Sequence, residues 1–183
     1  MNKIIDSILS RRSVRKFRDA QIDNEILTTL LNCGIHAPSA MNKQPWAVRV
    51  VQNNEILNKI NQDFVDWAKG KQLQGSAARA SETDFSVFHH SPTLIVIAAD
   101  TENHYSKGDC GALAQNISLA AESMNIGTCV IGNVAAVINR SEYLKEILQI
   151  PDTYEVVFGI AIGYKNEEPA SKPRDESRVI FIK

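Results

Sequence analysis

Residues 93–99, TLIVIAA, decide the fold. They form an unbroken apolar run between Pro92 and Asp100, without the alternation of a strand that keeps one face in water. Such a run reads as a central strand covered on both sides. Upstream, WAVRVVQ (46–52) reads as a second strand, after which Asn53 or Asn54 caps a helix using Ile56, Leu57, Ile60 and Phe64. Downstream, DCGALAQNISLAAESMN from Asp109 has helical spacing and is apolar almost all round, so it is buried, within a domain or between subunits. GTCVIG (127–132) is a short strand ending in glycine, and YEVVFGIAIGY (154–164) is a long one. Between them Ser141 caps a helix running through Leu148 and stopped by Pro151.

The outer parts follow the same logic. Ile4, Ile5, Ile8 and Leu9 share one face of an N-terminal helix. Asp23 is placed to cap a helix burying Ile26, Leu27, Leu30 and Leu31, with Gly34 as its stop. Residues 69–84 lose periodicity and suggest a mobile excursion or a loosely held helix. A polar linker, 165–177, precedes a last apolar strand, RVIFI. The expectation is one domain over residues 1–183, with a variable excursion at 69–86 and a C-terminal arm at 165–183.

Charge and cysteines narrow the function. The 183 residues carry a net charge of -1, so no overall field recruits nucleic acid or an anionic membrane. The balance is uneven, however. RRSVRKFR (11–18) holds five cations and no anion, leaving the other 15 basic residues against all 21 acidic ones. Cys33, Cys110 and Cys129 show no CxxC or Cys/His spacing, which fits reduced thiols and no metal site. The first residues are too short and polar for a signal peptide, and no apolar run approaches the ~18 residues of a membrane span. A cytoplasmic protein is therefore expected. GxGxxG, GxxxxGK[ST], HExxH and GxSxG are all missing.

Three segments could carry chemistry. On an extended backbone Arg11, Ser13 and Arg15 fall on one side, next to Arg12. Guanidinium forks and a hydroxyl suit a phosphate monoester, although a solvated basic stretch between two helices is the plainer reading. APSAMNKQPW (37–46) is fixed at both ends by Pro38 and Pro45, so Ser39, Asn42 and Gln44 have little freedom. It could offer amides and a hydroxyl to a planar heterocycle, or simply form a rigid connection with Trp46 buried. The third is Lys172 and Arg174 in KPRDESR, ordinarily a solvated stretch. The adjacent His89 and His90 read as structural or rim residues, and Cys129 as a small core residue.

Taken in order, RRSVRKF, APSAMNKQPW, FHHSPTLIVIA, DCGALAQNISLAAESMNIGTCVIG and KPR resemble the nitroreductase family. The resemblance spans nearly the whole chain, and its specific part is RRSxRxF followed by APSxxNxQPW. It implies an α+β fold with a central mixed, mainly antiparallel sheet flanked by helices, in an intertwined homodimer with C-terminal strand exchange. It implies bound FMN at the subunit interface and NAD(P)H as electron donor. Arg11, Arg12, Ser13 and Arg15 would hold the FMN phosphate and ribityl chain, joined by Lys172 and Arg174. Pro38, Ser39, Ala40, Asn42 and Gln44 would approach the flavin from the other subunit, and Ile131 and Gly132 would lie near its N5 and O4 edge.

The implied activity is ping-pong hydride transfer at flavin N5, from NAD(P)H to a nitroaromatic, a quinone or free flavin, with no catalytic side chain. Reductive dehalogenation, flavin fragmentation and a non-catalytic flavin-binding redox sensor are alternatives on the same fold. Two departures stand out. Many relatives read APSS where this chain has Ala40, and Asp84 falls near a position where some relatives set an amide against the flavin pyrimidine.

Overall fold

The structure is a computed structural model that describes residues 2–183. Its order is α1 (Lys3–Ser10), α2 (Asn24–Ile35), β1 (Trp46–Val51), α3 (Asn54–Ala68), β2 (Thr93–Asp100), α4 (Ser106–Ser123), β3 (Ile126–Ile131), α5 (Ala135–Ile138), α6 (Glu142–Ile147) and β4 (Tyr154–Tyr164). The four strands form one antiparallel sheet in the order β1-β2-β4-β3. A single parallel bridge, Ser13 to Thr128, adds the basic segment beyond β3.

The apolar run 93–99 is the central strand, buried along its whole length. Because side chains alternate across a strand, it feeds two cores at once. Leu94, Val96 and Ala98 join Leu57, Ile60 and Phe64 of α3, with Val134, Val137 and Leu144, on one face. Ile95, Ile97 and Ala99 join Leu27 and Leu30 of α2, with Leu113, Ala114 and Ile117 of α4, on the other. No helix among the described residues is long and apolar enough to cross a membrane.

Several local expectations change. Gly34 does not stop α2, which continues to Ile35. It sits inside the helix where a Cβ would lie 2.7 Å from Cγ1 of Ile117, so the glycine lets α2 close onto α4. Asp23 precedes α2 but makes no side-chain cap bond, whereas Asn53 and Ser141 do cap α3 and α6. Helix α4 begins at Ser106, a turn before Asp109, and α5 is a short helix without a periodic pattern of its own. Within 69–84, Gly75–Arg79 forms a short 3-10 helix, and Ala77 and Ala80 bury themselves in the core shared with α3.

The C-terminal RVIFI is not a strand in this chain. After a short 3-10 turn at Glu176–Arg178, Val179, Ile180, Phe181 and Ile182 are 67–96% exposed. Helix α1 is likewise unburied, with Ile4, Ile5, Ile8 and Leu9 facing solvent at 47–68%. Both have apolar faces that no other described residue covers.

The start of the arm is tied down. Lys165 pairs with Glu122 near the end of α4 at 3.1 Å, and both side chains are almost wholly covered. Ser10 Oγ also donates to Glu122 at 3.3 Å. Removing one partner of a covered pair leaves the other charge without compensation. Lys165→Met should therefore lower unfolding free energy by about 3 kcal/mol in urea denaturation, and adding Glu122→Gln should restore part of it. A loss below about 1 kcal/mol would show the pair behaving as an exposed one.

Candidate functional site

The segment after α1 is extended because the sheet edge holds it. Val14 N donates to Thr128 O at 2.9 Å and Arg18 N to Tyr164 O at 2.9 Å. Val14 and Phe17 turn inward and are buried, which sends Ser13 and Arg15 outward. Two glycines make room: a Cβ on Gly127 would meet Val14 Cγ1 at 2.9 Å, and one on Gly163 would meet Phe17 Cδ1 at 3.1 Å.

The arm returns over this segment. Arg11, Arg12, Ser13, Arg15, Lys172 and Arg174 line one cavity of about 200 Å³, with Pro169 and Ala170. All the basic candidates thus converge, although about 160 residues separate Arg11 from Arg174. Five cations and a hydroxyl around so small a space match a phosphate dianion. Arg12 also staples the structure. Its Nη1 donates to Leu9 O (2.7 Å) and Arg11 O (2.8 Å), and its Nη2 to Ser171 Oγ at 2.8 Å. Its Nε is buried without a partner, a donor left available at the site.

Of two neighbours, Glu167 escaped the sequence reading, and His89 is read there as a structural or rim residue. Glu167 Oε1 accepts the Arg15 backbone N–H at 2.5 Å, so a carboxylate sits at the rim of the cationic cluster. Its place in a polar linker gave no pattern to find it by. His89 is half-buried, and burial together with the Arg15 charge pushes its pKa down, keeping the ring neutral near pH 7. His89 and His90 adopt left-handed φ values of 58° and 54°, and His90 N is held by Ser86 Oγ at 2.9 Å. Two consecutive left-handed residues other than glycine mark a constrained turn. Asp84 lies elsewhere. It is exposed, pairs with His90 at 3.3 Å and lines a separate cleft with Asp19, Asn58 and Asn61.

The segment 38–44 is a tight, strained loop. Met41, Asn42 and Gln44 have φ values of 53°, 53° and 47°, each costing on the order of 1–3 kcal/mol for a residue with a side chain. Ser39 organises it: its carbonyl accepts Asn42 N at 3.0 Å, and its Oγ accepts Gln44 N at 3.0 Å. Gln44 Nε2 donates to Asn42 Oδ1 at 3.3 Å. The Ser39 hydroxyl is therefore engaged within the loop as an acceptor and keeps its proton and one lone pair to offer outward. Asn42 and Gln44 are exposed, as is Met41. At Ala40, where a hydroxyl is absent, the backbone N–H donates to Asp109 Oδ2 at 3.2 Å.

Ile131 ends β3 with its side chain in the core, so only its backbone is available to a ligand. Gly132 is exposed, with open space where a Cβ would point. Four residues along β3 from Thr128, beside which Ser13 lies, place Gly132 on the order of 13 Å from the basic cavity.

The loop is much farther off. Trp46 of β1, the strand at one edge of the sheet, pairs with Ala99 of β2, whereas Ser13 pairs with Thr128 beyond the opposite edge. Thr128 is level with Ile162 and Thr93, six residues along β2 from Ala99. Four strand spacings of ~4.8 Å and six residues of ~3.3 Å give a diagonal on the order of 25 Å. Helix α4 gives an independent gauge. Asp109 touches the loop and Glu122 touches Ser10, and thirteen helical residues span roughly 20 Å.

The Cys110 and Cys129 thiols are structural. Burial, with the Asp109 charge added, pushes the Cys110 thiol up to about 12, and burial raises that of Cys129. Neither forms a thiolate at neutral pH. Among the described residues no group of His, Cys, Asp and Glu is arranged to hold a metal. Cys110 and Cys129 should stay unmodified by a thiol-reactive dye at pH 8 until the protein is unfolded. Rapid labelling of either in the native state would contradict this.

The family model described as "Nitroreductase family" matches residues 8–164. An NADPH-flavin oxidoreductase of Vibrio harveyi is 31% identical over 182 residues, covering 98% of this chain and 73% of its own. An FMN reductase (NADPH) of Bacillus subtilis (strain 168) is 27% identical, covering 99% of this chain and 73% of its own. Among solved structures, a nitroreductase with bound FMN from Desulfitobacterium hafniense DCB-2 superposes with a TM-score of 0.91 at 28% identity, over 100% of both chains.

Proposed function

The chain belongs to the nitroreductase family, and from that premise we propose that it is an NAD(P)H-dependent FMN oxidoreductase acting as a homodimer. The observation that carries this reading is the cavity formed by Arg11, Arg12, Ser13, Arg15, Lys172 and Arg174. It has the charge and size for a phosphate monoester, and the unpartnered Nε of Arg12 supplies a further donor. Gly132, with its open face four residues along the adjoining strand, leaves room for a planar ring at a suitable distance. The residues present therefore fit FMN.

Arg11, Ser13, Arg15, Lys172 and Arg174 would hold the phosphate and ribityl chain, with Arg12 fixing the arm above them. The backbone of Ile131 and Gly132 would border the ring. Pro38, Ser39, Ala40, Asn42 and Gln44 lie too far away to reach the same flavin from the same chain. A second copy that brings its loop to this pocket completes the site. The uncovered faces of α1 and of residues 179–182 support that assembly, because each exposes apolar side chains that a partner would bury. The last residues would pair with the partner's sheet there.

FMN held there would supply the hydride chemistry between NAD(P)H and the oxidant. The protein's part is to bind, orient and stabilise charge. Arg11, Arg15, Lys172 and Arg174, with the charge of Arg12 beside them, would neutralise the phosphate, and Asn42 and Gln44 on the loop of the second copy would present amides to the ring. No side chain is assigned a proton-transfer role. NAD(P)H and the acceptor, whether nitroaromatic, quinone or free flavin, use one pocket in turn, so a ping-pong rate law is expected. The relatives named as NADPH-flavin and FMN reductases favour this over a non-catalytic sensor or a specialised flavin reaction.

The purified protein should be yellow, and anaerobic NADH or NADPH should bleach its flavin bands. Arg15→Ala should weaken FMN by about 1.5–3 kcal/mol, the range for hydrogen bonds to charged groups, and so purify with less flavin. A colourless wild-type protein that takes up no added FMN would overturn the reading. Full FMN occupancy in Arg15→Ala with unchanged affinity would remove Arg15 from the site.

A further inference from the structure

The strained loop 38–44 has one support outside itself. At its ends Ala37 N donates to Gly34 O (2.9 Å) and Asp100 N to Pro45 O (3.1 Å). Within it, Asn42 N, Lys43 N and Gln44 N bond back to Ser39 and Ala40. Where the loop runs into β1, Trp46 N donates to Gln44 O at 2.8 Å. Among the described residues, the only hydrogen bond from 38–44 to an element not adjoining it in sequence runs from Ala40 N to Asp109 Oδ2 in the first turn of α4, at 3.2 Å. Asp109 is itself only partly exposed, on a helix packed against the sheet and α2.

We infer that Asp109 is a positioning residue for the cofactor site, holding the loop that carries Ser39, Asn42 and Gln44 at the orientation in which it meets the flavin. This rests on the flavin reading above. The physical case has three parts. Three left-handed residues of four would relax toward other conformations unless the surroundings hold them. A carboxylate accepting a backbone N–H is a charge-assisted bond, stronger than a neutral one. Finally, Asp109 belongs to a helix whose other end, through Glu122, contacts Ser10 and Lys165 beside the basic cavity. One rigid rod thus fixes the placement of both half-sites within a subunit.

Ala40 acquires a meaning here. A serine at that position would add a hydroxyl able to compete for the carboxylate, whereas alanine leaves Asp109 to the backbone N–H alone.

The test uses the full-length protein and reads two things. The first is amide hydrogen exchange at Ala40 without added FMN, which reports the strut whether or not flavin binds. The second is the FMN dissociation constant from fluorescence titration. Asp109→Ala should raise Ala40 exchange at least roughly tenfold and weaken FMN by a similar factor, as expected for losing one charge-assisted bond. Asp109→Asn keeps an acceptor oxygen in place and should retain most of the wild-type protection and affinity. A purely structural role would lower the melting temperature of both variants without moving Ala40 exchange beyond its neighbours or changing FMN affinity.

If Asp109→Ala fails to fold, Asp109→Asn and Asp109→Ser carry the same comparison, with Ser predicted to lose protection. Unchanged Ala40 exchange in Asp109→Ala, or in Asp109→Ser where the alanine variant does not fold, overturns the assignment. So does wild-type FMN affinity in Asp109→Ala. A wild-type protein that binds no FMN overturns the flavin reading and with it the cofactor role, while the exchange result still decides the strut.

Discussion

Everything at the site depends on the pairing of β2 with β4. That ladder joins Thr93 to Ile162 at one end and Asp100 to Tyr154 at the other. It thereby sets β1 and β3 on opposite flanks of the sheet. The loop before β1 and the basic segment beyond β3 are consequently held at diagonal corners. A covered central strand does not slip, because a shift of one residue would exchange its two apolar faces. The separation of the half-sites is thus as rigid as the core. A cofactor touching both corners needs a second copy to supply one of them.

The two half-sites are built from different physics. The basic cavity depends on charge and needs little strain: an extended segment pinned by Val14 and Phe17 presents its cations, and the returning arm adds two more. The loop carries no net field of note and stores conformational strain, with three residues in left-handed geometry. Preorganised amides of this kind lose little freedom on binding. Helix α4 connects the two, touching the loop through Asp109 and the start of the arm through Glu122.

The sequence showed the sheet and the helices well where periodicity or an unbroken apolar run was present. Thr93–Ala99 is the clearest example, and α3 with its Asn53 cap is another. It failed where a residue's role depends on what lies across a helix interface. Gly34 looked like a helix stop because its function, closing onto Ile117, has no local signature. RVIFI has strand composition but no partner strand within one chain, so composition and structure part there. Of the site, Arg11 to Arg15 and Lys172 with Arg174 were nameable from the order of motifs, and the structure draws them into one cavity. Asp109 and Glu167 were not, since each acts through a single contact that no spacing encodes.

The claim that one flavin touches two chains is tested most directly by complementation. Arg15→Ala damages one half-site and an Asn42→Ala, Gln44→Ala double variant damages the other. Co-expressed with different affinity tags and purified through both, they should form mixed dimers with one damaged and one native site. The mixed dimer should hold about one FMN per two chains bound with wild-type affinity, while each variant alone binds FMN only with weakened affinity. Mixed dimers with no more flavin than either parent would contradict a site shared between subunits.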